Sequence, residues 1–137
     1  MADTVGIREE ITVEDDSSGE VYSLTLTPNK LARQRKFIAA WGGIQGIDFG
    51  SDEAAEDKML DVYTLCVAIA LEPQFKKYFP NEKRMWLNSG EISKDYKEFV
   101  ENCIDLPTSR KVLEICGGLQ LEVDPKILET LAESQTA

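Results

Sequence analysis

From Met59 to Leu71 the chain reads MLDVYTLCVAIAL, and Met59, Leu60, Val62, Tyr63, Leu65, Cys66, Val67, Ile69 and Leu71 fall on nearly every side of a helix. A surface helix keeps a polar face, whereas one that is apolar all round has to be enclosed by other elements. The longest apolar stretch, Val62 to Leu71, is interrupted by Thr64 and is far shorter than the ~20 residues that cross a bilayer. The sequence therefore predicts a central helix of a bundle. Ser51 is placed to cap it, and Asp52 and Glu53 put negative charge at the positive end of its dipole. Glu72-Pro73 predicts a break or a kink.

The rest of the chain supplies what encloses that helix. Ile11 and Val13 alternate with polar residues, the cluster Asp15-Asp16-Ser17-Ser18-Gly19 marks a turn, and Tyr22, Leu24 and Leu26 alternate again. That pattern is a β-hairpin, and a lone two-stranded ribbon is marginal in water, so its apolar face must lie on helices or on another chain. Thr27 followed by Pro28 predicts a helix start, with Leu31, Ile38 and Trp41 on one stripe, Phe37 beside it, and Gly42-Gly43 as the stop. The loop from Gly42 to Gly50 carries Ile44, Ile47 and Phe49 and is expected to pack down. Residues 74–90 read as a short helical turn and a loop. Ile92, Tyr96, Phe99 and Cys103 then recur at helical spacing, with Val100 broadening the stripe. Asp105-Leu106-Pro107 punctuates the chain, Val112, Leu113, Ile115 and Cys116 mark a further helix stopped by Gly117-Gly118, and Asp124-Pro125 opens a last one on Ile127, Leu128 and Leu131. The sum is an α+β, mainly α, single domain over 1–137. An N-terminal β-hairpin (8–27) precedes a bundle of about five helices (28–133), and the ends, 1–6 and 134–137, are expected to be mobile.

The chain contains no histidine, so it lacks the usual base of a nucleophilic triad. Its three cysteines, Cys66, Cys103 and Cys116, are widely spaced among Leu, Val and Ile and read as small buried hydrophobes, without the paired ligands of a zinc site. The glycines of Gly42-Gly43-x-x-Gly46 follow a helix and match neither nucleotide fingerprint. Two carboxylate groups, Glu14-Asp15-Asp16 with Glu20, and Asp52, Glu53, Glu56 and Asp57, have no EF-hand spacing and read as a hairpin turn and a favourable first helical turn. No catalytic residue, metal or cofactor is expected, and the chain is not expected to be an enzyme.

A formal charge of −10 opposes phosphate backbones and anionic lipid, so neither nucleic acid nor membrane is the expected partner. The basic clusters Lys30, Arg33, Arg35, Lys36 and Lys76, Lys77, Lys83, Arg84 read as solvated helix faces. Met1 to Glu10 lacks the apolar run of a signal peptide, and the expected location is the cytoplasm. Other proteins remain as partners. Phe75, Tyr78, Phe79, Met85 and Trp86 lie in a segment broken by Lys, Pro and Asn, and aromatic and Met side chains favour binding surfaces. With Trp41 and Phe49 they form the candidate protein-binding set, the alternative being a satellite core under a loop.

The run Leu60-Asp61-Val62-Tyr63-Thr64-Leu65-Cys66-Val67-Ala68-Ile69-Ala70-Leu71-Glu72, followed by Phe99-Val100-Glu101 and by Asp105-Leu106-Pro107-Thr108 through Lys111-Val112-Leu113-Glu114-Ile115-Cys116-Gly117-Gly118-Leu119, resembles the tail assembly chaperones of long-tailed bacteriophages. The likeness covers about half the chain and lies in packing patterns and caps. It implies a non-enzymatic chaperone, in the host cell cytoplasm, that binds the tape-measure protein and tail-tube subunits and is often also made in a longer frameshifted form. Two other readings stand beside it: a virion structural protein, such as a head-tail adaptor or tail component, and an acidic inhibitor or regulator of a host protein. Assembly as a homo-oligomer is left open.

Overall fold

A computed structural model describes residues 8–48, 50, 53–81 and 92–119. Strands β1 (Glu9–Glu14) and β2 (Val21–Leu26) pair antiparallel in the register Glu9↔Leu26 through Glu14↔Val21. The Asp15 carboxylate closes the turn by accepting from the Ser17 N–H (2.8 Å) and the Ser17 hydroxyl (2.7 Å), so a side chain only 6% exposed is hydrogen-bonded rather than stranded. Val13, Tyr22, Leu24 and Leu26 are buried and Ile11 packs against the same core, as the alternation predicts.

Four α-helices lie among the described residues: α1 (Leu31–Trp41), α2 (Ala55–Lys76), α3 (Lys94–Cys103) and α4 (Leu106–Ile115), with a short 3-10 helix at Gly42–Gly46. The architecture is thus α+β and mainly α. The count is four rather than about five, because the helix expected on Ile127, Leu128 and Leu131 lies outside the described residues, as do both chain ends. Helix α2 starts at Ala55 instead of directly after Ser51: Ala54 is its N-cap, without a side-chain capping bond, and the acids of its first turn are Glu56 and Asp57 rather than Asp52 and Glu53. Helix α2 is the central one and touches α1, α3, α4 and β2. Its Tyr63, Cys66, Val67, Ala68, Ile69, Ala70, Leu71 and Phe75 are all buried, as a helix without a polar face requires.

Three further element boundaries differ from the sequence expectation, each for a local reason. Helix α1 starts at Leu31 instead of directly after Thr27, because the Asn29 N–H is committed to the Cys116 carbonyl (2.8 Å) and Lys30 is extended. Helix α2 runs through Pro73 to Lys76 instead of stopping at Glu72. A proline inside a helix leaves the carbonyl four residues back without its donor, and here the Arg33 guanidinium donates to that carbonyl, Ile69 O, at 2.8 Å. Helix α4 begins at Leu106, a turn and a half before the apolar marks Val112 and Leu113. Asp105, read as punctuation, is its N-cap and accepts from the Thr108 N–H at 2.8 Å, with Pro107 in the first turn where no donor is lost.

The end of α4 packs under α1. Gly118 has φ +68 and its N–H donates to Glu114 O, which closes the helix in the left-handed conformation that suits glycine. Gly117 has a different role: a Cβ there would overlap the Phe37 ring and sit 2.8 Å from Leu113 O. Gln34 Nε2 donates to Gly117 O (2.9 Å) and is itself positioned by Asn29 Nδ2 (3.0 Å), so polar groups of the α1 start satisfy the last carbonyls of α4.

Candidate protein-binding surface

The candidate aromatic residues fall into different surroundings. Phe75 is fully buried, with its ring perpendicular to Phe99 at 4.8 Å and edge-on to Tyr22 and Tyr96. Phe79 is half-buried against Tyr22 (5.7 Å) and Phe99 (5.5 Å). Tyr78 is exposed, yet its ring abuts Tyr22 at 5.0 Å and its hydroxyl bridges the backbone of Ser23, accepting from the N–H (3.0 Å) and donating to the carbonyl (2.8 Å). These three residues therefore come together, but as a roof of perpendicular rings that locks the end of α2 to the hairpin. Trp41 lies apart, half-buried and stacked on Tyr63 at 5.7 Å. Phe49, Met85 and Trp86 lie outside the described residues. Phe75 has no surface to offer a partner, so its place in the set is corrected to core.

The apolar surface lies elsewhere. On α1 the sequence pattern puts Leu31, Ile38 and Trp41 on one stripe with Phe37 beside it; in the structure Trp41 stays on the inner side, while Leu31 and Ile38 exchange places with Phe37. Phe37 is fully buried, whereas Leu31 is 83% and Ile38 47% exposed. The inner face of α1 carries Arg33, Gln34, Phe37, Ala40 and Trp41. Its two polar members satisfy the carbonyls of Ile69 and Gly117, so hydropathy alone assigns that face to solvent. The outward residues Leu31, Arg35 and Ile38, with Lys36 alongside, form a basic and apolar face on a chain of charge −10. At the N-terminal end of this helix a cleft of about 430 Å³ lies between Pro28, Ala32 and Arg33 on one side and Ala70, Pro73 and Gln74 on the other. Exposed Leu60 and Leu106 rim a smaller cleft of about 80 Å³ between α2 and the α3–α4 junction.

The described residues carry few groups suited to bond-making chemistry. Burial pushes the thiols of Cys66 and Cys103 up to about 12 and that of Cys116 to about 11, so all three are protonated at neutral pH. Burial likewise raises the Tyr96 phenol, whose hydroxyl donates to Ala68 O inside the bundle. Among the described residues there is no group of three or more Cys, Asp or Glu positioned to hold a metal ion, and no helix long and apolar enough to cross a membrane.

Comparison with family models, curated proteins and solved structures returns no match. The segments on which the expected likeness to tail assembly chaperones rests map onto the middle of α2, the end of α3 and the whole of α4, where most of the apolar residues face the core. The resemblance therefore concerns how the bundle packs, and the surface residues must be judged by their own chemistry.

Proposed function

We propose that this protein is a non-enzymatic tail assembly chaperone of a long-tailed bacteriophage, acting by contact with the tape-measure protein and tail-tube subunits. The observation that carries the protein-binding part is the outward face of α1, where Leu31 and Ile38 stay in water beside Arg35 and Lys36. Two large aliphatic side chains on one face, rimmed by charge, suit the apolar stripe of an amphipathic helix, and the net charge keeps the chain soluble while they are displayed. The specific client comes from the resemblance along α2, α3 and α4.

The test is co-expression with a fragment of the tape-measure protein. The wild-type chain keeps the fragment soluble, and the double substitution Leu31→Glu, Ile38→Glu, which replaces no core residue, loses that effect while its melting temperature stays near the wild-type value. A fragment equally insoluble with and without the chain would remove the chaperone reading. Retained activity in the double variant would move the binding surface away from α1.

A further inference from the structure

The hairpin has two outer edges, and the structure treats them differently. In an antiparallel pair, residues alternately direct their backbone N–H and C=O groups toward the partner strand and away from it. The bond from the Asp15 N–H to Glu20 O (2.9 Å) fixes the phase. In this register Val13 and Ile11 bond across to Tyr22 and Leu24, so Thr12 and Glu14 on β1, and Ser23 and Thr25 on β2, turn their polar groups outward.

The outer edge of β2 is closed. Tyr78 Oη takes both polar groups of Ser23, and Gln74 Oε1 accepts from the Thr25 N–H at 3.2 Å. The outer edge of β1 is covered less fully: at its turn end the Asp16 N–H donates to Asn102 O of α3 (3.1 Å), while the N–H and C=O of Thr12 have no hydrogen-bond partner among the described residues. A cleft of about 330 Å³ lies between this edge and the α3–α4 junction. Its acids are Glu14, Asp16, Glu101 and Asp105, all solvent-exposed, and its lining includes no basic side chain.

We infer that the outer edge of β1 accepts an extended, lysine- or arginine-bearing segment of a partner protein as a third strand. Main-chain bonds to Thr12 and its neighbours supply the pairing, and alternate side chains of the added strand reach the acidic cleft, which selects cations. A second copy of this chain is the wrong occupant, because its own β1 edge would bring Glu10 and Glu14 against the same acids. The edge is thus guarded against self-pairing by the charge that recruits a basic strand. This inference concerns a different face from α1 and does not depend on the client being a tail protein.

The experiment uses the full chain and a synthetic nine-residue peptide alternating threonine and lysine, with a threonine and glutamate peptide as control. Amide exchange is followed by NMR. At saturating basic peptide, the amides of Thr12 and Glu14 should exchange at least about tenfold more slowly, with Ser23 and Thr25 unchanged and no effect from the acidic peptide. Glu14→Lys with Glu101→Lys, both at exposed positions, should weaken binding at least about tenfold and leave the melting curve in place. Thr12→Pro removes only an outward N–H and should abolish the protection. Absence of binding, binding without protection at Thr12 and Glu14, or equal binding of the acidic peptide would overturn the inference.

Discussion

Arg33 is the residue on which the continuity of α2 depends, and replacing it by Met gives a quantitative test. Arg33 Nη1 donates to Ile69 O at 2.8 Å and lies 3.1 Å from Glu72 Oε1. The carbonyl is the one that Pro73 deprives of its helical donor, and the Glu72 side chain is only 7% exposed. A buried acceptor that loses its donor costs about 1–3 kcal/mol, and removing one partner of a buried ion pair costs about 3–5 kcal/mol. The Arg33 side chain is itself 26% exposed, which lets water replace part of what is removed. The expected loss for Arg33→Met is therefore about 2–4 kcal/mol in total, a shift of roughly 1–2 M in the urea midpoint for a domain of this size. A second substitution isolates the carbonyl. Pro73→Ala restores a backbone N–H four residues after Ile69, so Arg33→Met, Pro73→Ala should recover about 1 kcal/mol relative to Arg33→Met. Urea unfolding followed by helical circular dichroism measures all four corners of the cycle. A single variant within about 0.5 kcal/mol of wild type, or no coupling between the two sites, would refute the assignment of Arg33 as the donor that replaces the proline N–H.

Gly117→Ala should destabilise the fold by about 1–3 kcal/mol, because the added methyl meets the Phe37 ring and the Leu113 carbonyl; a thermal melt reads the loss, and an unchanged melting temperature would mean that α1 is free to move off α4. Asp105→Ala should cost about 1 kcal/mol as a lost N-cap. The bonds from Thr108 hold the Asp105 carboxyl below its ordinary value, so its contribution is present above about pH 4, the unfolded value, and is lost as pH falls through the folded one. Wild type and Asp105→Ala should accordingly converge in stability below that pH. At the alkaline end the sign is opposite. Cys66, Cys103 and Cys116 titrate near 9 when unfolded and at about 12, 12 and 11 when folded, so their contribution is complete below pH 9 and declines as pH rises toward the folded values. Urea midpoints should fall between pH 9 and 11, less steeply in a Cys66→Ala variant compared with its own neutral-pH value.

Much of the fold is legible in the residues because the relevant signals are local. The alternation around a turn cluster gives the hairpin and its buried face. The stripe Tyr96, Phe99, Val100 and Cys103 gives α3, and an apolar run without a polar side gives the central position of α2. These features depend on solvent exposure averaged along one element, which the sequence states directly. The candidate surface is much less legible. Phe75, Tyr78 and Phe79 are near one another in the chain, but whether a group of aromatics faces water or the core depends on what lies over it, and here that is Tyr22, more than fifty residues earlier.

Local pattern and composition suffice for the element types, the enclosed helix, the absence of an imidazole and the acidity. Packing between distant elements settled three further matters. It made Arg33 and Gln34 inward residues, because the Ile69 carbonyl of α2 and the Gly117 carbonyl just past α4 needed donors at those points. It turned Leu31 and Ile38 outward in exchange. It also closed one edge of the hairpin with Tyr78 and Gln74 while, among the described residues, leaving Thr12 on the other edge without a hydrogen-bond partner. The physical reason is the same in each case: a hydrogen bond between residues far apart in the chain leaves no periodic trace in composition, and its satisfaction outweighs the hydropathy that a linear pattern records.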